Sequence, residues 1–457
     1  MPERRVCRGP LPRRQFLKYG ALALGGISLA DVLEARGANG TAQLDTSVIL
    51  LYLHGGASQL ETYDLKPRAP VEYRSIFGAI PTKVPGLEIA EHLPLHAEVA
   101  DKFSIIRSMH HTVNIHSDGG IVVTTGKMPS RLDPTSNSVS EHPDIGSIVS
   151  HVRGMHPERI PQYVAMVSPF YFTRPSYLGV SHKAFVGGDP SVAGYRPPVG
   201  ELVAGDALQR FGDRRALMRE FDRLRSDLDQ HRNLEGVGKF QQIAYEMLTN
   251  SHTAKAFDLS DEKPELREKY GKHTWGQSCL LARRLAERGS GVISVFVDSP
   301  ANGQEYTNWD DHPGNAGRHG HFGGFLQRRL KFYDQAVSAL VEDIYARGLD
   351  RKILVVATGE FGRTPRLSYN PAFSAFGRDH WPDAYSVLVS GGGLRMGQVI
   401  GATNSKAEYP TERPYTPQDL LATVYRHLGI DPRQNLLDYS GRPVPILNEG
   451  EPIRELV

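Results

Sequence analysis

The sequence predicts an α/β protein built on a mostly parallel sheet with helices on both faces. Three observations point there: short aliphatic runs that each end in a polar or glycine-rich loop, a long amphipathic helix between two of them, and a strand, helix, strand order that implies right-handed crossovers. The runs are Ser47 to Leu53, Phe103 to Arg107, Tyr163 to Val167, Gly291 to Val297, Ile353 to Ala357 and Tyr385 to Val389. Each is short, β-branched or aliphatic, and too continuous for a half-solvated strand, so each reads as a buried one. Between the fourth and fifth, Leu326, Leu330, Tyr333, Val337, Leu340 and Ile344 lay one apolar stripe down a helix, and Gly348 follows where a helix ends. Leu217, Phe221, Leu224 and Leu228 pattern a second helix over 213 to 231, and 210 to 287 reads as a mainly helical layer or insertion of the same domain. The stretch from Ser168 to Gly200, rich in Pro, Gly, Tyr and Phe without periodicity, reads as a long loop.

The N-terminus reads as an address. Pro12-Arg13-Arg14-Gln15-Phe16-Leu17-Lys18 precedes a short apolar run, Tyr19 to Leu33, the order of an export signal of the twin-arginine type. About 15 residues at about 1.5 Å each fall short of the roughly 30 Å hydrocarbon core, so no permanent membrane span is expected. An uncleaved amphipathic helix is the alternative. Residues 1–38 form the expected signal segment and 39–457 a single mature domain, periplasmic or extracellular, with the twin-arginine translocase a partner during export.

Composition is that of a globular chain, 40% hydrophobic and 23% charged. The formal net charge of +2 is concentrated at the start, since removing residues 1–38 leaves 46 basic and 48 acidic residues. A near-neutral mature chain gives no electrostatic reason to expect nucleic acid or an anionic membrane as partner. Of the two cysteines, Cys7 lies in the signal segment and Cys279 is left without a mate.

Four loops beside predicted strands hold the residues that could carry chemistry. His54-Gly55-Gly56-Ala57-Ser58 leads on to Glu61, Thr62 and Asp64, with paired glycines that turn tightly at a strand end. Asn308-Trp309-Asp310-Asp311-His312, with Arg318, His319 and His321 behind it, places a carboxylate and an imidazole two residues apart, donors that suit one divalent ion. Thr358-Gly359-Glu360-Phe361-Gly362-Arg363 and Gly377-Arg378-Asp379-His380 each add an acid, an arginine or a histidine. Each alone also reads as a solvated turn. His111 and His116, after the Phe103 strand, read either as crevice ligands or as loop histidines.

His54 to Asp64, Trp309 to His312, Thr358 to Pro365 and Gly377 to Pro382 together resemble the DUF1501 family of the alkaline phosphatase and sulfatase-like superfamily, from about residue 45 to 435. The resemblance implies a three-layer α/β/α sandwich, alkaline phosphatase-like, with divalent metal (zinc, calcium or manganese) at strand ends. It implies Asp310, His312, Glu360 and His380 as ligands, with Glu61 or Asp64 supplying the carboxylate that follows the first strand. Phe361 stands where a second-site histidine belongs, and no Cys-x-Pro-x-Arg string exists to supply a formylglycine. The chemistry expected is attack on a phosphate or sulfate ester, of a small molecule or a polysaccharide, by Ser58 or Thr62. Arg363 or Arg378 would hold the nonbridging oxygens. Alternatively Ser58 only tightens its turn and a metal activates water. A catalytically silent binding protein of the same fold is the rival reading.

Overall fold

Eight strands form the central sheet of the computed structural model, which describes residues 45–195, 251–298, 308–314 and 324–457. They are β1 (Ser47–Tyr52), β2 (Phe103–Met109), β3 (Tyr163–Met166), β4 (Phe185–Gly188), β5 (Val292–Phe296), β6 (Ile353–Thr358), β7 (Tyr385–Gly391) and β8 (Val399–Ile400). Their order across the sheet is β8-β2-β7-β6-β1-β5-β3-β4. All neighbours pair parallel except at β7, which runs antiparallel to both β2 and β6.

Alternate residues of β1 explain its unbroken hydrophobic run. Ile49 and Leu51 enter the core on one face of the sheet, Val48, Leu50 and Tyr52 the core on the other, so there is no solvated side to mark. The first face is covered by α3 (Thr274–Glu287) and α4 (Leu326–Ala346), the second by α1 (His116–Thr125), α2 (Ile145–Arg153) and α5 (Pro417–Leu428). This is an α/β/α sandwich. All six stripe residues of α4 are buried, as its periodicity requires. Helix α5 is bounded chemically, by a capping box between Thr416 and Asp419 and by left-handed Gly429.

All six expected strands are present, with ends shifted by at most two residues. Two strands of this sheet were not foreseen. β4 lies inside the stretch expected to be a loop, and that expectation is corrected: Phe185–Gly188 is a four-residue edge strand with two glycines, too short and too glycine-rich to show a pattern. β8 is a two-residue strand at the other edge. Of the expected helical region, Ser251–Phe257, Pro264–Tyr270 and α3 are helical, while the helix at 213–231 and the signal segment lie outside the described residues. No helix among the described residues is long and apolar enough to cross a membrane.

His273 caps α3, its ring nitrogen accepting the N–H of Gly276 at 3.3 Å. Burial pushes its pKa down from 6.5 to about 4, with Gln335 opposing in part. Because the folded value lies below the unfolded one, this group's stabilisation is present above pH 6.5 and is lost as pH falls toward 4. Urea unfolding should therefore show the protein losing about 1–2 kcal/mol through this residue between pH 6.5 and 5. His273→Asn, which keeps a capping acceptor but cannot titrate, should lose measurably less; an unchanged pH slope would refute the assignment.

Candidate metal centre

One edge of the sheet collects the chemistry. The carboxyl ends of β1, β2, β5 and β6 lie there, and because β7 is antiparallel, the segment that leads into it starts at the same edge. Five loops meet as a result: His54 to Gly56 after β1, His110 to Ile115 before α1, Asn308 to His312 after β5, Gly359 to Arg363 after β6, and Arg378 to Trp381 before β7.

Close backbone packing brings them together. Gly55, at φ +107°, lies so near the Asp310 loop that a Cβ would sit 2.4 Å from the Asp310 nitrogen. A Cβ on Gly377 would meet the His312 carbonyl carbon at the same distance. The Trp309 backbone N–H donates to His54 O at 2.7 Å, and its indole N–H to Val297 O at 3.0 Å. The next residue, Asp311, is fully buried, and both its oxygens accept Arg329 Nη2 at 2.6 Å, which pins the loop to α4. A two-residue ribbon sets His380 opposite Arg363.

Four donors converge in the space so framed: His116, Asp310, His312 and His380, all within 4.8 Å of one another. Asp310 Oδ1 lies 3.3 Å from His116 Nε2, 3.0 Å from His312 Nε2 and 3.2 Å from His380 Nε2. His312 Nε2 and His380 Nε2 are 2.9 Å apart. A tetrahedral zinc site with bonds of about 2.0–2.1 Å has donor-to-donor edges of about 3.3 Å, close to these spacings.

Each imidazole is also tied at its far nitrogen. His116 Nδ1 meets Glu360 Oε1 at 2.5 Å, His312 Nδ1 meets Asp379 Oδ1 at 2.7 Å, and His380 Nδ1 meets Asn114 O at 2.7 Å. Donation of the Nδ1 proton to these acceptors turns all three Nε2 lone pairs inward, the orientation metal-ligating histidines adopt. The surroundings favour positive charge, which a divalent ion would supply in place of the second proton on His116. Burial opposes charge on His116, yet Asp310 and Glu360 outweigh it and raise its pKa to about 9. Burial likewise works to raise Asp310, but Arg363 and the three imidazoles hold it well below the usual carboxylate range. Glu360 is fully buried and His116 holds its pKa down despite that burial, which leaves further negative charge behind the site. A divalent cation fits this donor set.

Of the residues expected from sequence, Asp310, His312 and His380 come together. Glu360, expected as a ligand, stands behind His116 instead, its Oε1 also taking the Gly55 N–H at 2.8 Å. Glu61, Ser58, Thr62 and Arg378 form a separate, fully closed network. Both Glu61 oxygens take Arg378 nitrogens at 3.0 Å, the Ser58 hydroxyl donates to Glu61, and the Thr62 hydroxyl to Ser58 O at 2.7 Å. Arg378 spends its remaining N–H groups on the carbonyls of Thr364, Pro365 and Arg74, so none is left for an oxyanion. Asp64 pairs with Lys66 at 3.0 Å. Arg363 is buried and bonds Asp310 Oδ1 at 2.5 Å together with the carbonyls of Gly55, Gly56 and Arg378. It orients the carboxylate. Phe361 packs its ring against His380 and His116, with centroids 4.5 and 5.2 Å away. Arg318, His319 and His321 lie outside the described residues.

His116 was left open between ligand and loop histidine; it is the first residue of α1 and faces the other three donors. Asn114 and Asp379 were not singled out. Acidic and carbonyl partners for imidazole Nδ1 have no spacing signature, and only the fold reveals them.

The profile of a family described as "Protein of unknown function (DUF1501)" matches residues 45–457. No curated protein sequence matches the chain. Among solved structures, the chain is similar to the PsFucS1 sulfatase from Pseudoalteromonas sp., at 12% identity and TM-score 0.36, covering 92% of this chain and 72% of that one. It is also similar to the lipoteichoic acid synthase LtaP from Listeria monocytogenes, at 9% identity and TM-score 0.37, over 89% and 76% of the two chains. A protein in the alkaline phosphatase superfamily from Vibrio parahaemolyticus aligns at 11% identity and TM-score 0.34, over 84% and 67%.

Metal analysis of the purified protein should find one divalent ion per chain that is lost in Asp310→Ala and His312→Ala. Glu360→Gln should keep the ion but bind it about 10–100-fold more weakly, the cost typical of losing a carboxylate behind a ligand histidine. Asp64→Asn should leave the metal content of the folded protein unchanged. Full occupancy in both alanine variants, with folding verified by circular dichroism, would dismiss the site.

Proposed function

The chain belongs to the DUF1501 family, and from that footing we propose that it is an exported metal-dependent hydrolase acting on a phosphate or sulfate ester. One observation carries the reading: three oriented imidazole nitrogens and one carboxylate oxygen spaced for a single divalent ion at the carboxyl edge of the sheet. The ligand side chains are 13–28% exposed, which leaves a face of the site open to an ester within the described residues.

When bound by His116, Asp310, His312 and His380, a divalent ion would supply Lewis acidity toward a nonbridging oxygen of the ester and acidify a water molecule. The chain's own groups do the rest. Glu360, Asp379 and Asn114 O hold the imidazoles in the tautomer that presents Nε2, and Arg363 holds Asp310 and balances its charge. Phe361 gives the site one apolar wall. Since Ser58 and Thr62 are engaged with Glu61 and their own turn, we assign the attacking oxygen to water.

A second reading rests on the number of donors. Catalytic zinc sites commonly use three protein ligands and keep the fourth position for water, whereas four protein donors are usual in closed sites. A catalytically silent metal-binding protein of the same fold would also present four. Export by the twin-arginine route is part of the proposal and rests on the Arg13-Arg14 segment.

Aryl phosphate and aryl sulfate hydrolysis separates the readings. The hydrolase should turn over at least one of them, stop on chelation and recover with added zinc, manganese or calcium. His380→Ala should lower kcat/KM by at least about 100-fold, whereas Ser58→Ala should leave turnover standing. Metal held tightly with no turnover of either ester would favour the silent protein, and loss of turnover in a folded Ser58→Ala would overturn the water route.

A further inference from the structure

Beside the metal centre lies a cavity of about 410 Å³, within the size range of small-ligand sites. Tyr171 joins the two. It lines the cavity, and its ring stands edge-on to His54 with centroids 5.8 Å apart, while His54 is 6.0 Å from the ligand His116. Phe170, buried, also lines the cavity, and Tyr439 contributes a ring that is 81% exposed. So large an exposed aromatic at the mouth of a cavity is what a stacking platform requires. Two cations, Arg174 and Lys183, complete the lining. Arg174 is held by its Nε–H, which donates to Ser140 O at 2.8 Å and leaves the two terminal nitrogens without a hydrogen bond to that carbonyl. Neither cation forms an ion pair with a carboxylate among the described residues, and the one acid in the lining, Asp144, is buried and accepts the Ser147 N–H as the cap of α2.

We infer that this cavity binds an acidic sugar unit, as the non-reacting part of the ester. The flat rings of Tyr171 and Tyr439 match the apolar faces of a pyranose, their phenol hydroxyls match its ring hydroxyls, and Arg174 with Lys183 meets its anionic substituent. The assignment of this unit as part of a substrate rests on the hydrolase reading above; the binding itself does not.

Calorimetric titration of the protein with glucuronate, glucose, benzoate and inorganic phosphate tests it. Glucuronate should bind the wild type and His380→Ala alike, and Lys183→Ala and Tyr439→Ala should each weaken it by about fivefold or more, about 1 kcal/mol. Both substituted side chains are exposed, so folding is not at stake. Glucose should bind more weakly for want of charge, benzoate and phosphate for want of ring hydroxyls or a ring. The inference is overturned if glucuronate shows no heat at 10-fold above about 1 mM, if glucose or benzoate matches it, or if its binding vanishes in His380→Ala and ignores Lys183→Ala. Glucuronate binding without ester turnover would retire the hydrolase and leave the cavity's ligand standing.

Discussion

One carboxylate oxygen, Asp310 Oδ1, organises the site. Three imidazole nitrogens lie within 3.3 Å of it and a buried guanidinium bonds it from behind. Bringing a carboxylate and three imidazoles out of bulk water is costly unless each is paired, and here every one is. The rings are held at Nδ1, the carboxylate by Arg363, and the loop carrying Asp310 by the Asp311–Arg329 pair and the Trp309 indole. Preorganisation of this kind makes a metal site: the donors are aimed before any ion arrives, so less ordering remains to oppose binding.

The fold supplies that convergence through topology. At this edge the parallel strands present only their carboxyl ends, which accounts for Asp310, Glu360 and His116. The antiparallel β7 adds a loop from its amino end at the same edge, and with it His380. Bare backbone at Gly55 and Gly377 lets the loops close to contact distance; any side chain at either place would push Asp310 or His312 away. The second network, in which Glu61 pairs with Arg378, stitches the turn after β1 to the segment before β7 and so supports the same geometry without sharing its chemistry.

Much of this was legible in the sequence. Strands buried on both faces leave continuous aliphatic runs, and α4 writes its stripe at helical spacing, so six strands and the main crossover helix could be placed. The edge strands β4 and β8 could not, because two to four residues with glycine carry no period. Asp310, His312 and His380 were named, together with Glu360, by the family resemblance, on loops where donor residues recur beside strand ends. His116 did not separate from its neighbour His111, since which imidazole faces the crevice depends on where α1 begins. Ser58, Thr62 and Glu61 have the residue types of a catalytic hydroxyl and a ligand, yet Arg378, 317 residues from Glu61, closes them off. Partners at that separation become visible only when the chain is folded.

The atoms that surround a bound metal distinguish a built imidazole site from an incidental cluster of donors. X-ray absorption at the metal edge of the loaded protein reads them directly. Three imidazole nitrogens and one carboxylate oxygen, at about 2.0–2.2 Å for zinc, with outer-sphere ring scattering that diminishes by one imidazole in His116→Ala, are what the geometry predicts. A coordination sphere of oxygens without imidazole scattering would contradict it.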